Sequence, residues 1–321
     1  MNESNSKLLV VALGGNAITL PGSPPDIPNQ FKATAVTAKS LADLIDAGHH
    51  LVITHGNGPQ VGKVLRRVEM SAPTVYPLPL EICVADTQGG MGYMIAQCLG
   101  NELEQRGHPR TVTCLVTTVC VDSADPAFTN PTKPIGGFYD QTQAEKLQRQ
   151  DDWIMSEVLT GQYRRVVASP RPQKILEIGS IKRLVDAGEL IIACGGGGVP
   201  VIRDDAGQHH GVAAVIDKDL VSALLATKLN ADGMIILTSV EEVCINFDKP
   251  NQATLSHLTL TEARRHQEDG QFPPGSMGPK IEAAISFLET STKSSAEVLI
   301  TTPQKLRQAL AGQSGTRITR E

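Results

Sequence analysis

Three lysines in this chain stand in stiff local settings: Lys133 in NPTKPIG, Lys218 in AVIDKD and Lys280 in GSMGPK. Three glycine clusters accompany them. Gly14 and Gly15 follow the run LLVVAL, Gly56 and Gly58 follow HLVITH, and Gly195 to Gly198 follow LIIAC. Backbone N–H groups in loops of this kind, together with helix N-termini, hold anions without needing side-chain charge. Lysines around an anion site suit phosphoryl transfer, whose transition state spreads negative charge over the moving oxygens and asks mainly for positioning and positive charge. Asp217 and Asp219 flank Lys218 and read in two ways. Either can cap the helix that begins at this point, or a carboxylate can keep the ammonium charged and aimed, with Asp219 also reaching lysines from the opposite side.

The elements that must position these residues repeat one pattern: a short β-branched run, a glycine cluster, then a segment of helical period. Val36, Leu41, Leu44 and Ile45 predict a helix stopping near Gly48, and Ile175, Ile178, Ile181, Leu184 and Val185 predict another ending at Gly188. Further strands are expected at TVTCLVTTV, GMIILTS, EVCINF and EVLIT. This alternation predicts an α/β fold with a mostly parallel sheet between helices, which binds ligands at the carboxyl ends of its strands, where all three glycine clusters fall. Residues 122–165 break the pattern. They are rich in Pro, Gly, Gln and charge and hold nearly half of the few aromatic residues, among them Phe128, Phe138, Tyr139, Trp153 and Tyr163, so a small protruding subdomain or lid is expected within a single 1–321 domain.

Composition narrows the alternatives. A chain of 321 residues, 40% hydrophobic, can bury a large core, and its net charge of −5 with scattered Lys and Arg offers no basic stripe for nucleic acid. The polar start MNESNSK and the absence of a membrane-length apolar run give a cytoplasmic expectation with no membrane partner. The six cysteines lack C-x-x-C spacing and read as buried thiols, and the histidine pairs 49–50 and 209–210 lack the spacing of a zinc motif. GNGPQVGKV is one residue short of a P-loop, with Val64 where a Mg²⁺-binding hydroxyl belongs, and one residue too long for the common dinucleotide fingerprint. No Ser, Cys and His grouping suggests a covalent intermediate, so direct transfer is the simpler chemistry. The residues alone leave open a kinase acting on a larger carboxylate and a non-catalytic binder of nucleotide or acyl phosphate.

In their order and spacing, VVALGGNA, HGNGPQVG, AFTNPTKPIG, VVASPRP, CGGGGVPV, AVIDKD, CINFDKP and GSMGPK resemble the carbamate kinases of the amino acid kinase superfamily, from about Leu8 to Ile318. The resemblance implies a three-layer α/β/α sandwich with a mainly parallel, about eight-stranded sheet, a protruding subdomain and a homodimer. It implies reversible phosphoryl transfer between ATP and carbamate, giving carbamoyl phosphate and ADP, with Mg²⁺ carried by the nucleotide and no metal ligands of the protein's own. Position by position, Gly14, Gly15 and Asn16 with Gly56, Asn57 and Gly58 would hold carbamate and the transferred group. Lys133 would reach over the site from the lid, while Lys218 and Lys280 would flank the phosphates, oriented by Asp219. Gly196, Gly197 and Gly198 would line the phosphate path, and Asp217, Thr238, Ile245, Met277 and Gly278 would border the nucleotide. Carbamoyl phosphate is a mixed anhydride of high transfer potential, so the implied direction is catabolic and ATP-forming. A carbamate oxygen is anionic at neutral pH, so its attack needs no strong general base.

Overall fold

The computed structural model describes residues 6–15, 18, 26–72, 74–151 and 153–321. Asn16 lies outside them. The central sheet has eight strands in the order β15-β17-β16-β12-β1-β2-β9-β3. These are β1 (Leu8–Leu13), β2 (His50–His55), β3 (Val112–Cys114), β9 (Leu190–Ile192), β12 (Gly233–Leu237), β15 (His257–Thr259), β16 (Glu297–Thr301) and β17 (Thr316–Thr319). Every pairing is parallel except β16 with β17.

The continuous apolar runs of the sequence are explained by a sheet buried on both faces. Val10, Ala12, Val52, Ile191, Met234, Ile236, Val298 and Ile300 enter one core, with α5 (Ile178–Asp186), α6 (Lys218–Leu229), α7 (Leu260–Glu268) and α8 (Gly278–Thr290) supplying residues such as Ile181, Leu225, Ala263 and Phe287. The alternate residues Leu9, Val11, Leu13, Leu51, Ile53, Ile192 and Leu237 enter the other core, against α1 (Ile27–Asp46), α3 (Leu80–Gln105) and α9 (Leu306–Leu310). A one-residue register slip in any central strand would exchange its side chains between these two cores.

Three smaller sheets flank this sandwich. The first is β11-β10-β4-β8, made of β4 (Thr118–Val121), β8 (Pro172–Ile175), β10 (Val199–Arg203) and β11 (His209–Gly211). The second is the hairpin of β13 (Val243–Ile245) and β14 (Ala253–Leu255). The third, β5 (Lys133–Tyr139), β7 (Gln162–Val167) and β6 (Met155–Leu159), is antiparallel and carries α4 (Gln141–Asp151) between β5 and β6. Its aromatic residues hold it together: Arg165 lies 4.4 Å over the Trp153 ring, and Tyr139 meets Trp153 edge to face. It rests on α2 (Gly58–Ser71) at Gly62, where a Cβ would lie 2.2 Å from the Gly136 backbone.

Three expectations need correction. TVTCLVTTV is not one strand: it divides into β3 and β4, which belong to different sheets, and between them Thr117 donates its N–H to Gln88 Oε1 while its carbonyl accepts from Gln88 Nε2. Ile175 ends β8 rather than opening α5, and the helix begins at Ile178. The cysteines are free, but only Cys83 and Cys194 are buried; the other four are half-buried.

Candidate active site

Strands β12, β1, β2 and β9 are consecutive and parallel, so their carboxyl ends bring Thr238, Gly14–Gly15, Gly56–Gly58 and Gly195–Gly198 to one edge of the sheet. Sequence separation hides this adjacency; strand order creates it. The first loop hugs β12: Gly14 N donates to Leu237 O at 2.8 Å, and a Cβ there would sit 2.7 Å from that oxygen. In the second loop the Asn57 amide donates to Thr87 Oγ1 at 2.8 Å. The third loop has positive φ at four of the five positions from 194 to 198: Cys194 at 53°, Gly196 at 64°, Gly197 at 93° and Gly198 at 85°. Cys194 is held in this uncommon conformation by its N–H bond to Thr117 Oγ1 at 2.6 Å.

Charge arrives from α6, α8 and β5. Asp217 is the N-cap of α6, its side chain accepting from Asp219 N at 2.9 Å, and its other oxygen takes Lys133 Nζ at 2.5 Å. Both readings of Asp217 therefore hold at once. Asp219, buried in the first turn of α6, pairs through one oxygen with Lys218 and through the other with Lys280 Nζ at 3.2 Å. Lys280 also donates to Ser276 O at 3.1 Å. Burial pushes the Lys218 ammonium down from its ordinary pKa and Lys280 adds to this, while Asp219 and Asp217 oppose it. For Asp217 burial works toward a higher pKa, but Lys133 and then Lys218 outweigh it and hold the carboxyl below the usual range. Three ammoniums, those of Lys133, Lys218 and Lys280, are thus gathered at this edge of the sheet, as an anion site requires.

Two cavities meet at these lysines. One, of about 430 Å³, is lined by Gly14, Gly15, Thr238, Cys244, Phe247 and Met277 among others, and is mostly apolar. The other, of about 160 Å³, is lined by Gly56, Asn57, Gly58, Lys133, Gly196 and Asp217 among others. Lys218, Ser276 and Lys280 line both. A larger, mostly apolar chamber meeting a smaller, more mixed one at two lysines fits a nucleotide on one side and a small phosphoryl acceptor on the other.

A model of the amino acid kinase family matches residues 7–300. The chain belongs to the amino acid kinase family. Within it, the chain is 48% identical over 315 residues to the carbamate kinase-like protein YahI of Escherichia coli, covering 97% of this chain and 98% of the relative. It is 44% identical to the carbamate kinase of Clostridium perfringens over 97% of this chain and 99% of that one. Among solved structures, the carbamate kinase of Giardia lamblia bound to AMP-PNP superposes with a TM-score of 0.89 at 40% identity, covering 99% of both chains.

Of the residues marked by the family resemblance, the structure gathers Gly14, Gly15, Thr238, Met277, Lys218 and Lys280 around the larger cavity and Gly56, Asn57, Gly58, Gly196, Asp217 and Lys133 around the smaller one. Asp219 lines the smaller one as well. Asp217 thus stands beside the small chamber rather than the large. Ile245 packs against the hydrophobic core, and its neighbours Cys244 and Phe247 line the cavity instead. Gly197 and Gly198 serve close packing: a Cβ would fall 2.3 Å from Ile216 O at the first and 2.3 Å from Val119 Cγ2 at the second. Gly278 opens α8, its N–H bonded to Pro273 O. Sequence reading passed over Glu242, Cys244, Phe247 and Ser276. The positive φ of Asn246 and Asp248 on either side of Phe247 shapes the turn that presents its ring, and the Asn and Asp types at those positions were the available signal.

Proposed function

We propose that this chain catalyses the carbamate kinase reaction, reversible phosphoryl transfer between ATP and carbamate, with ATP formation from carbamoyl phosphate and ADP as the favoured direction. The observation that carries the reading is the pair of cavities joined at Lys218 and Lys280. Carbamate is among the smallest acceptors a kinase can take, and the smaller chamber has room for it beside Lys133 and the Gly56–Gly58 loop. The carbamate kinase relatives, similar over nearly their whole length, support the same acceptor.

In this reading the nucleotide lies in the larger chamber against Phe247 and Met277, with its phosphates toward Lys218 and Lys280. Carbamate or carbamoyl phosphate sits between the Gly56–Gly58 loop and Lys133. The work is positioning two repelling anions in line and neutralising the transferring group. Lys218 and Lys280 stabilise that charge, and Asp219 fixes their direction through one oxygen each. Lys133, paired with Asp217 beside the smaller chamber, would on this reading exchange that carboxylate for the acceptor's anion. Mg²⁺, on this reading, enters on the nucleotide phosphates. Asp217 and Asp219 are both committed to lysines.

We assign the lid role to residues 122–165 and a homodimer to the assembly, both on family resemblance. Among the described residues no helix is long and apolar enough to cross a membrane. The deciding experiment is ATP formation from ADP, Mg²⁺ and carbamoyl phosphate, with acetyl phosphate and acetylglutamyl phosphate as competing donors. Preferential use of carbamoyl phosphate is expected. Failure to use it, with turnover of another acyl phosphate, would reassign the acceptor; no turnover at all would favour a binding protein.

A further inference from the structure

His55 ends β2 and is fully buried where the second and third glycine loops meet. Its ring makes one polar contact: Nδ1 lies 3.1 Å from the carbonyl oxygen of Gly56. Nε2 has no hydrogen-bond partner among the described residues and faces the third loop, where a Cβ on Gly195 would lie 2.3 Å away. A carbonyl oxygen can only accept, so Nδ1 carries the hydrogen and Nε2 the lone pair of a neutral ring. Burial first, and the charge of Lys218 in the same sense, push this imidazole's pKa down to about 4 against the opposing Gly56 bond.

The Gly56–Asn57 peptide is trans, and in a trans peptide the carbonyl and the following N–H point in opposite directions. Anchoring Gly56 O on His55 therefore turns the Asn57 N–H the other way. The Asn57 amide is oriented by the hydrogen it gives to Thr87, and its backbone N–H is a further donor this residue can offer an anion. That N–H stands beside the opening N–H groups of α2, which no carbonyl of their own helix can take.

We propose that His55 is a positioning residue for the transferred phosphoryl group or its acceptor: a neutral imidazole, protonated on Nδ1, that grips Gly56 O and thereby presents the Asn57 N–H to the bound anion. The site would fail to form with the other tautomer, because two acceptors would then face each other and the peptide would be released to rotate. Gly195 is part of the same device, since any side chain there would displace the ring. The proposal rests on the function given above, and its test separates the two.

Steady-state ATP formation from carbamoyl phosphate and ADP is compared in the unsubstituted chain and in His55→Asn, His55→Gln and His55→Leu, each first checked for folding by circular dichroism and thermal melting. The Asn amide places a donor near the position of Nδ1, whereas Gln places one near Nε2. His55→Asn is expected to keep the KM for carbamoyl phosphate within about threefold, while Gln and Leu raise it about tenfold or more, the scale of one lost hydrogen bond to an anion. The KM for ADP should stay within about threefold throughout, because the nucleotide chamber does not touch His55. Equal effects of Asn and Leu, or parallel rises in both KM values, would overturn the proposal. The second readout needs no activity: ¹⁵N chemical shifts of histidine-labelled full-length protein, with His55→Asn used to assign the signal, should show an Nδ1-protonated ring. An Nε2-protonated ring would sink the proposal in an active enzyme. Inactivity of the unsubstituted chain with carbamoyl phosphate would overturn the function, and the tautomer would then decide on His55 alone.

Discussion

Lys133 and Asp217, 84 positions apart in the chain, are joined by a 2.5 Å ion pair that ties the first strand of the small antiparallel sheet to the N-cap of α6. The carboxylate holds the lysine with one oxygen and the helix with the other. Asp217→Asn should keep the cap, since an amide oxygen still accepts from Asp219 N, and should release Lys133. Lys133→Ala is expected to lower kcat/KM for carbamoyl phosphate by about a hundredfold and also to lower the melting temperature, because it takes the lysine partner from the largely buried Asp217 carboxylate. Asp217→Asn should cost about tenfold or less in the same assay. A larger loss for Asp217→Asn than for Lys133→Ala would show that the aspartate itself acts on substrate.

Asp219 serves two ammoniums, and that asymmetry sets different penalties for its removal and theirs. Asp219→Ala strands the buried Lys218 without its partner, a loss on the scale of about 3–5 kcal/mol in urea unfolding. Lys280→Ala leaves Asp219 paired with Lys218 and should cost well under half of that, while lowering turnover about a hundredfold. Near-normal turnover in Lys280→Ala or Lys218→Ala would remove that lysine from the mechanism. Equal unfolding free energies for Asp219→Ala and Lys280→Ala would contradict the shared ion-pair geometry.

The glycines at the sheet edge divide by what a Cβ would meet, which gives a prediction that their common residue type conceals. Gly58 has open space where a Cβ would stand, whereas Gly198 combines φ of 85° with Val119 Cγ2 at 2.3 Å. Gly198→Ala should destabilise the fold by about 2–4 kcal/mol through strain and overpacking. Gly58→Ala should melt within a few degrees of the parent and show its effect in the KM for carbamoyl phosphate. Similar melting of the two variants would mean that the third loop relaxes more readily than its packing indicates.

The same contrast shows what could be read from residues alone. Strand type, helix ends at Gly48 and Gly188, and the glycine clusters follow from local rules, because β-branched runs and positive-φ requirements leave their mark within a few residues. Lys133, Lys218 and Lys280 were marked by their rigid neighbours and by family resemblance. The adjacency of β12, β1, β2 and β9 was not legible, since strand order depends on crossovers of long sequence separation. For the same reason the cavity-lining role of Cys244 and Phe247 beside Ile245 is not legible: which side of a short hairpin faces the cavity is a property of its packing. His55 was missed entirely, because a histidine at the end of an apolar strand looks the same whether it is solvated or, as here, enclosed between two loops.

Enclosure gives His55 a signature in the pH dependence of stability. Its pKa is about 4 in the folded chain against the ordinary value of 6.5. Between those values the unfolded chain takes up a proton that the folded chain refuses, so stability falls as pH drops through that window and is unaffected by this group above it. The loss approaches about 3 kcal/mol near pH 4, the scale set by the gap between those two values. Asp217 also loses stabilising charge on acidification, but it does so below the ordinary carboxylate range, so its contribution lies at lower pH. Unfolding free energies of the parent and His55→Asn, measured by urea titration from pH 7.5 to 4.5, should therefore converge as pH falls. Parallel curves across that range would mean that the imidazole reaches solvent and takes its proton without breaking its seat between the loops.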